Sequence, residues 1–363
     1  MTAVTRADVE IALKGYVDPY LEKDLIAAKC VRQIRTENGR VEVDVDLGFP
    51  AAGYRDALIA ALRDRLAALP GVAEAAIQVE SKIVSHEVQK GLKPLPGVKN
   101  VIAVASGKGG VGKSTTAVNL ALALSIEGAR VGLLDADIYG PSQPRMLGSQ
   151  ERPESPDGKS LNPVIGHGIQ SMSIGYLIEE ETPMVWRGPM VTQALEQLLR
   201  DTRWQDLDYL VIDLPPGTGD TQLTLSQKVP VSGAIIVTTP QDIALLDARR
   251  GLKMFEKVEV PVLGIVENMS IHVCSKCGHE EHIFGEGGGQ RMAAQYDVPF
   301  LGSLPLDIRI REETDGGRPT VVAEPDSRIA GLYRDIARRA TARLSLRAKN
   351  YSHRFPNIVI QNT

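Results

Sequence analysis

Cysteine is scarce in this chain, with three among 363 residues: Cys30, Cys274 and Cys277. Three thiols are too few for a disulfide framework, so the sequence excludes the small disulfide-stapled folds. Each cysteine is therefore expected to be structural, catalytic or metal-binding. Cys30 lies in a strand pattern, and we expect it to be a buried structural thiol. Cys274 and Cys277 form a CxxC pair and need a separate explanation.

Long apolar runs and a strong net charge are also missing. No apolar run reaches the ~18 residues that a membrane span needs. The first residues, MTAVTRADVE, lack the apolar core of a secretion signal, so the expected compartment is the cytoplasm. A formal net charge of −4 gives no overall basic field, and we expect no nucleic-acid partner. The content of 43% hydrophobic and 24% charged residues is typical of a globular protein, here long enough for two domains.

A polar stretch with two prolines and two glycines, residues 85–98, separates two different patterns and is the predicted linker. Residues 1–84 are predicted to form a small α+β domain. Its expected helices are 7–15 and 54–69, and its expected strands are 28–36, 40–47 and 73–80. Asn38-Gly39, between the first two strands, is a strong signal for a hairpin.

After the linker, residues 99–345 alternate strands and helices, which indicates a parallel sheet covered on both faces. The predicted strands are 101–105, 130–134, 208–213, 233–238 and 262–267, and the predicted helices are 113–126, 220–228 and 242–256. Ligands of such sheets bind at the carboxyl ends of the strands. Residues 346–363 are expected to form a C-terminal tail.

The first of these strands leads into GKGGVGKS, a phosphate-binding loop of the GxxxxGK[ST] type, and the loop opens into a helix. Its glycines let backbone N–H groups approach phosphate oxygens. Lys113 is expected to contact the β and γ phosphates and to be catalytic, and Ser114 is expected to ligate Mg²⁺. The predicted nucleotide-binding residues are Gly107, Lys108, Gly109, Gly110, Val111, Gly112, Lys113, Ser114 and Thr115. The predicted fold class is therefore α/β, a P-loop NTPase with a mostly parallel, doubly wound sheet, preceded by the small α+β domain.

Two further strands end in aspartates beside this loop. DADIYGPS supplies Asp135 and Asp137, and DLPPGTGD supplies Asp213. We expect Asp213 and Ser114 to hold Mg²⁺ together. Asp137 is expected to be catalytic, because it would orient the attacking water. A helix cap or a turn is the alternative role for each aspartate. The turn at 215–219 is a candidate switch that moves when the γ-phosphate leaves.

The CxxC pair lies in CSKCGHEEH, residues 274–282. Two cysteines at this spacing can bind one metal centre. A [4Fe-4S] cluster is commonly held by four thiolates, so two chains related by a two-fold axis would be needed to supply them. His279 and His282 complete a compact set that could instead hold Zn²⁺ within one chain, although the tight spacing makes tetrahedral ligation awkward. Zinc bridging two chains and a redox dithiol also remain open.

The motifs GKGGVGKST, DADIYGPS, DLPPGTGD and TTPQDIALLD resemble, in order and spacing over about residues 98–325, the Mrp/ApbC group of deviant Walker A ATPases. That group consists of iron-sulfur cluster carriers. The N-terminal domain resembles the one fused to bacterial members. The resemblance implies a slow, dimer-dependent ATPase that binds a [4Fe-4S] cluster through Cys274 and Cys277 of both chains. Its expected partners are a cluster donor system and apo iron-sulfur proteins as recipients.

The resemblance also implies roles for two residues outside the usual phosphate-loop consensus. Lys108 is expected to cross to the partner's phosphates and act catalytically there, as an arginine finger would. Asn268 matches the position that contacts adenine, and its amide could pair with the base edge.

A positioning or partition ATPase acting on a membrane or DNA is the alternative function. Its support is a basic amphipathic pattern at 328–347, which membranes or DNA could attract. A final helix packed on the sheet, with solvated arginines, explains the same pattern and is favoured. A partition ATPase has no need of an exposed dithiol, so Cys274 and Cys277 also favour the carrier.

Overall fold

The computed structural model describes residues 4–178, 188–217, 219–274 and 276–349. The elements of the N-terminal unit are α1 (Arg6–Lys14), β1 (Val17–Asp18), β2 (Lys23–Asp24), β3 (Val31–Glu37), β4 (Arg40–Leu47), α2 (Arg55–Ala67) and β5 (Glu74–Ser81). Strands β3, β4 and β5 form one sheet, in which β4 pairs antiparallel with β3 and parallel with β5. The expected small α+β unit is therefore present.

The turn between β3 and β4 forms at the predicted Asn-Gly pair. Asn38 and Gly39 both have positive φ, 48° and 79°, as a tight hairpin turn requires. Strand β3 begins later than the expected residue 28, because Lys29 has φ 57° and belongs to the preceding turn. Cys30 follows this turn and is buried, as expected, and its burial raises the pKa of the thiol to about 11.

The second unit supplies the remaining elements. Its strands are β6 (Val98–Ala105), β7 (Val131–Asp135), β8 (Val164–Gly166), β9 (Ile169–Met172), β10 (Leu207–Asp213), β11 (Gly233–Thr238), β12 (Val262–Glu267), β13 (His272–Val273), β14 (Glu280–Glu281) and β15 (Phe300–Ser303). Its helices are α3 (Lys113–Ile126), α4 (Gln143–Met146), α5 (Gly188–Arg200), α6 (Asp220–Lys228), α7 (Asp242–Lys257), α8 (Gly288–Gln295), α9 (Ile308–Asp315), α10 (Thr320–Ala323) and α11 (Arg328–Ser345). A 3₁₀ turn follows β9 at Ile174–Tyr176.

Eight strands form the main sheet in the order β15-β12-β11-β6-β10-β7-β9-β8. All neighbouring pairs are parallel except β8 with β9. Helices α3 and α11 contribute to the apolar core on one face, and α5 and α8 to the core on the other. The doubly wound prediction is confirmed. The strands β8, β9 and β15 were not predicted, since they are three or four residues long and lie towards the sheet edges.

The predicted linker, 85–98, is anchored to the second unit. His86 is buried. Its backbone N–H donates to Asn100 Oδ1 at 3.0 Å, and its ring Nδ1 lies 2.9 Å from the same oxygen. Gln89 Nε2 donates to the carbonyls of Ser226 and Val229 at the end of α6. The segment therefore follows the sheet closely before the chain enters β6.

Helix α11 covers the sheet and also contacts the N-terminal unit through Glu127, which caps the carboxyl end of α3. Glu127 Oε1 accepts from Arg334 Nε at 2.7 Å and from Arg338 Nη2 at 2.6 Å, while Oε2 accepts from Gly53 N at 2.9 Å. Burial raises the pKa of Glu127, but the arginine hydrogen bonds outweigh it, and the net pKa is lowered. The expectation that the arginines of α11 are solvated is therefore wrong for Arg338, which is 7% exposed. None of the helices in the described ranges has the length and hydrophobicity that a membrane span requires.

Candidate nucleotide site and cysteine hairpin

The phosphate loop connects β6 to α3 at the carboxyl edge of the sheet. Gly110 and Gly112 have φ of 81° and 80°, so the loop needs glycine at both positions. Gly107 is needed for another reason, because a Cβ there would lie 2.1 Å from the Asp247 carbonyl carbon of α7. The side chain of Lys108 is on the exposed part of the loop, and Thr115 lies in the first turn of α3, half-buried.

Lys113 and Asp213, predicted to serve phosphate and Mg²⁺ respectively, contact each other in this structure. The ammonium of Lys113 donates to Asp213 Oδ1, and it lies 3.2 Å from Ser114 Oγ. Gln143 Nε2 donates to Asp213 Oδ2 at 2.8 Å and to the Ser114 carbonyl at 3.1 Å. Three predicted site residues are thus brought together, and Gln143 joins them although it was not predicted.

Asp135 and Asp137 follow β7 but have different surroundings. Asp135 is 1% exposed and accepts from the backbone of Asp137, Ser142 and Gln143 and from Ser173 Oγ. Burial, together with the nearby charge of Asp213, raises its pKa to about 7. Asp137 is half-buried, and burial raises its pKa too. Asp135 therefore shapes the turn, whereas Asp137 keeps partial access to solvent.

Asn268 lies directly after β12 and reaches the phosphate loop. Its Nδ2 donates to the Val111 carbonyl at 2.9 Å, and its backbone N–H donates to Thr238 at the end of β11. A Cβ on Gly112 would lie 2.2 Å from Nδ2, so the Asn268 amide would have to move if that glycine were replaced. Asn268 therefore supports the loop, a role that the sequence did not predict.

The CxxC pair lies in the turn of a small hairpin made by β13 and β14. The Cys274 N–H donates to the His279 carbonyl at 2.9 Å, and the Gly278 N–H donates to the Cys274 carbonyl at 2.8 Å. Cys277 is exposed and Cys274 partly so. Hydrogen bonds from the backbone N–H groups of Lys276 and Cys277 lower the pKa of the Cys274 thiol. Both sulfurs are accessible, and the lowered pKa of Cys274 favours its thiolate form. Such a pair is suited to binding a thiophilic metal centre.

A family model described as NUBPL iron-transfer P-loop NTPase matches residues 97–341, which include the phosphate loop, the three aspartates and the cysteine hairpin. The chain belongs to this family. A second model, described as iron-sulfur cluster assembly protein, matches residues 6–79 in the N-terminal unit. The resemblance noted from the motifs is therefore confirmed across both units.

Relatives of this NTPase carry consistent names. An iron-sulfur cluster carrier protein of Escherichia coli is 50% identical over 340 residues, which is 93% of this chain and 92% of the relative. The corresponding protein of Pseudomonas fragi is 60% identical, over 74% of this chain and 94% of its own length. The mouse iron-sulfur cluster transfer protein NUBPL is 53% identical, over 75% of this chain and 85% of its own.

Among solved structures, a nucleotide-binding protein of Archaeoglobus fulgidus in complex with ADP superposes with a TM-score of 0.56. It is 38% identical and covers 64% of this chain and 90% of its own. This similarity supports the P-loop fold and a nucleotide site in the family.

The histidines of this NTPase do not complete a zinc site with the two cysteines. Within the described part of the chain, no group of three or more His, Cys, Asp or Glu side chains could hold a metal ion. His282 Nδ1 instead lies 2.8 Å from the Ser270 carbonyl, and its Nε2 lies 3.8 Å from Glu286. The single-chain Cys/Cys/His/His alternative is therefore not supported.

Some predictions fall partly outside the described residues. The candidate switch at 215–219 includes Thr218, and the CxxC hairpin includes Ser275, and both lie outside them. The same is true of residues 350–363 of the predicted tail. Gln143 could have been noticed in the sequence, because it follows the DADIYGPS motif directly and opens the short helix α4.

Proposed function

We propose that this protein is an ATP-dependent carrier that binds a [4Fe-4S] cluster between two chains and transfers it to apo iron-sulfur proteins in the cytoplasm. The observation that carries the proposal is the Cys274–Cys277 pair, in which Cys277 is exposed and Cys274 partly exposed. The pair lies on a hairpin that begins a few residues after Asn268, which contacts the phosphate loop. The family match and the names of the relatives support it. The cluster is the cargo and comes from a donor system.

The nucleotide chemistry follows from the loop and the strand ends. The backbone N–H groups of the loop and Lys113 would bind the phosphates of ATP, and Ser114 with Asp213 would hold Mg²⁺, which neutralises developing charge. Asp137 would orient the attacking water. Since Asn268 Nδ2 is already bonded to Val111, its Oδ1 is the atom that would accept from the adenine amino group.

The dimer is proposed because both sites need a second chain. Cys274 and Cys277 provide two thiolates where a [4Fe-4S] cluster commonly has four, and a two-fold axis supplies the other pair. Lys108 lies exposed on the loop, where it could reach the phosphates of a facing chain. Hydrolysis would then change the geometry between the chains and so load or release the cluster.

Anaerobic reconstitution with iron and sulfide tests the cluster site. We expect visible absorption and about four irons per two chains, with zinc unable to displace them. Cys274→Ala should remove the absorption and leave nucleotide binding unchanged. Cys30→Ala is the matched control, because that thiol is buried in the N-terminal core and should not affect the cluster. A colourless protein with one zinc per chain, or a coloured Cys274→Ala variant, would overturn the bridging site.

Transfer to an apo iron-sulfur enzyme tests the role of ATP. The loaded protein should activate the recipient faster with Mg-ATP than without it, and Lys113→Ala should lose this difference. The measurement is the recipient's recovered activity over time. A Lys113→Ala protein that matures the recipient at the full rate would show that the ATPase is dispensable.

A further inference from the structure

A short segment, residues 268–273, joins the phosphate loop to the cysteine hairpin, and we call it the strap. It begins at Asn268, whose Nδ2 is bonded to the Val111 carbonyl of the loop, and it ends immediately before Cys274. Five residues, 269–273, separate Asn268 from Cys274. Even a fully extended chain of this length covers only about 20 Å. The nucleotide and cluster sites are therefore close along the chain.

The strap forms hydrogen bonds with the chain around Leu304 and Leu306 along most of its length. The backbone N–H and the Oγ of Ser270 both donate to the Leu304 carbonyl at 3.0 Å. The Ile271 carbonyl accepts from the N–H of Leu306 at 2.8 Å, and His272 Nδ1 lies 3.1 Å from the Leu306 carbonyl. With its backbone groups paired in this way, the strap is a stiff connection and not a free loop.

One side chain fastens the far arm of the hairpin back to the strap. His282 follows β14, and its Nδ1 lies 2.8 Å from the Ser270 carbonyl. A carbonyl can only accept, so Nδ1 donates the proton. The Cys274 N–H bond to the His279 carbonyl closes the hairpin between these points. Strand β14 also pairs with His272 and Val273 of the strap, so the His282 bond gives this arm a second attachment, nearer to Asn268.

We propose that His282 is a positioning residue that holds the cysteine hairpin on the strap, so that the phosphate loop and the two thiols move together. This inference rests on the proposed nucleotide-driven carrier and assigns the path by which nucleotide would reach the cluster. The path runs from Val111 through Asn268 and Ser270 to His282. One hydrogen bond shifts such an equilibrium by roughly two- to tenfold, which sets the size of the expected effect.

The test measures thiol accessibility in the protein without cluster, under anaerobic conditions. The rate of alkylation of Cys277 by iodoacetamide is followed by mass spectrometry, with and without Mg²⁺ and a non-hydrolysable ATP analogue. In the unmodified chain we expect the nucleotide to change this rate by roughly two- to tenfold. His282→Ala should reduce the ratio to about one, while the affinity for the analogue stays unchanged.

Matched substitutions separate the hydrogen bond from the loss of the ring. His282→Asn places an amide N–H near the position of Nδ1 and should restore the nucleotide dependence, whereas the longer His282→Gln should not. His279→Ala is the neighbouring control and should behave like the unmodified chain. Because the His282 side chain is 40% exposed, these variants are expected to fold, which circular dichroism checks.

Three results would overturn the inference: an alkylation rate indifferent to nucleotide in the unmodified chain, an undiminished ratio in His282→Ala, or a ratio that His282→Asn does not restore. A His282→Ala protein that loses reconstituted iron but keeps the ratio would make this residue a metal ligand instead. The carrier function is judged separately, by cluster content and transfer in the unmodified chain. The inference can therefore fail while the carrier function stands.

Discussion

Lys113 and Asp213 neutralise each other in a part of the site that excludes water. Their side chains are 6% and 0% exposed, so an unpaired charge there would be costly. A phosphate that attracts Lys113 would leave Asp213 available to Mg²⁺, with Gln143 still holding its other oxygen. The contact therefore holds both side chains in place for their proposed roles.

Replacing Asp213 by Asn should affect stability and hydrolysis together. Without nucleotide, the free energy of unfolding should fall by about 3 kcal/mol, because Lys113 is left without its buried counter-charge. ATP hydrolysis should fall about 100-fold, the scale of losing one preorganised electrostatic contact. Urea unfolding and phosphate release measure the two effects.

Asp206→Asn is the control for that variant, since Asp206 is 85% exposed and lies 3.7 Å from Arg130 in a surface pair. Loss of this surface charge should lower the free energy of unfolding by less than about 1 kcal/mol. Equal destabilisation by the two variants would contradict the buried pairing.

Asp135 gives the site a dependence on pH. Its pKa rises from 3.8 to about 7 because the carboxyl is buried and lies near Asp213. A raised pKa means that the folded protein binds the proton more tightly than the unfolded chain does. The stabilisation is therefore complete below about pH 4 and is lost as the pH rises towards about 7.

Asp135→Asn should remove this dependence, because an amide does not titrate. Melting temperatures are measured without nucleotide across this pH range. The melting temperature of the variant should rise relative to that of the unmodified protein as the pH rises. A constant difference between the two proteins would show that Asp135 does not titrate there.

At the scale of elements, Glu127 links the carboxyl end of α3 to α11 and to the N-terminal unit. Glu127→Gln leaves Arg334 and Arg338 without their shared carboxylate and should lower the free energy of unfolding by about 3 kcal/mol. The pKa of Glu127 is lowered in the fold, so its stabilisation is present above its ordinary value of 4.5 and is lost as the pH falls through the folded value. Urea unfolding at neutral and acidic pH measures both effects.

Glu10→Gln provides the comparison, because Glu10 pairs with Arg6 four residues away on the exposed face of α1. Such a helix pair contributes about 0.5 kcal/mol at most. If the two variants lost the same stability, the contact of Glu127 with α11 would be no stronger than a surface pair.

At the scale of the whole molecule, mixing two inactive variants tests whether Lys108 acts between chains. In a mixed dimer of Lys108→Ala and Lys113→Ala, the first chain keeps its own Lys113 and would receive Lys108 from its partner. When the chains pair at random, half of the dimers are mixed, and one of the two sites in each mixed dimer is complete. ATP hydrolysis should therefore return to about a quarter of the normal rate.

Each variant alone should stay inactive, and mixing either with a doubly substituted chain is the control. If Lys108 served its own chain, no site in the mixed dimer would be complete. Hydrolysis that stays at the level of the separate variants would then reject the intermolecular role.

Local patterns were sufficient for the central strands and the helices between them. Strands β11 and β12 and helices α3 and α6 occupy the predicted residues, because long apolar runs and glycine turns mark them within a few residues of chain. The edge strands β8 and β15 were missed, since three or four residues carry too weak a pattern. The buried arginine of α11 was missed for another reason: its partner Glu127 is 211 residues away.

From the sequence alone we could predict the phosphate loop, the positions of the main strands along the chain, the CxxC pair and the family, because each depends on residue types at fixed short spacings. The contacts between side chains that are distant in sequence could not be predicted in this way. Lys113 and Asp213 are 100 residues apart, and Asn268 and Val111 are 157 apart. Such contacts depend on how strands and helices pack, and no local spacing encodes them. The pairing of the phosphate lysine, the support of its loop and the strap to the cysteine hairpin were therefore visible only in the fold.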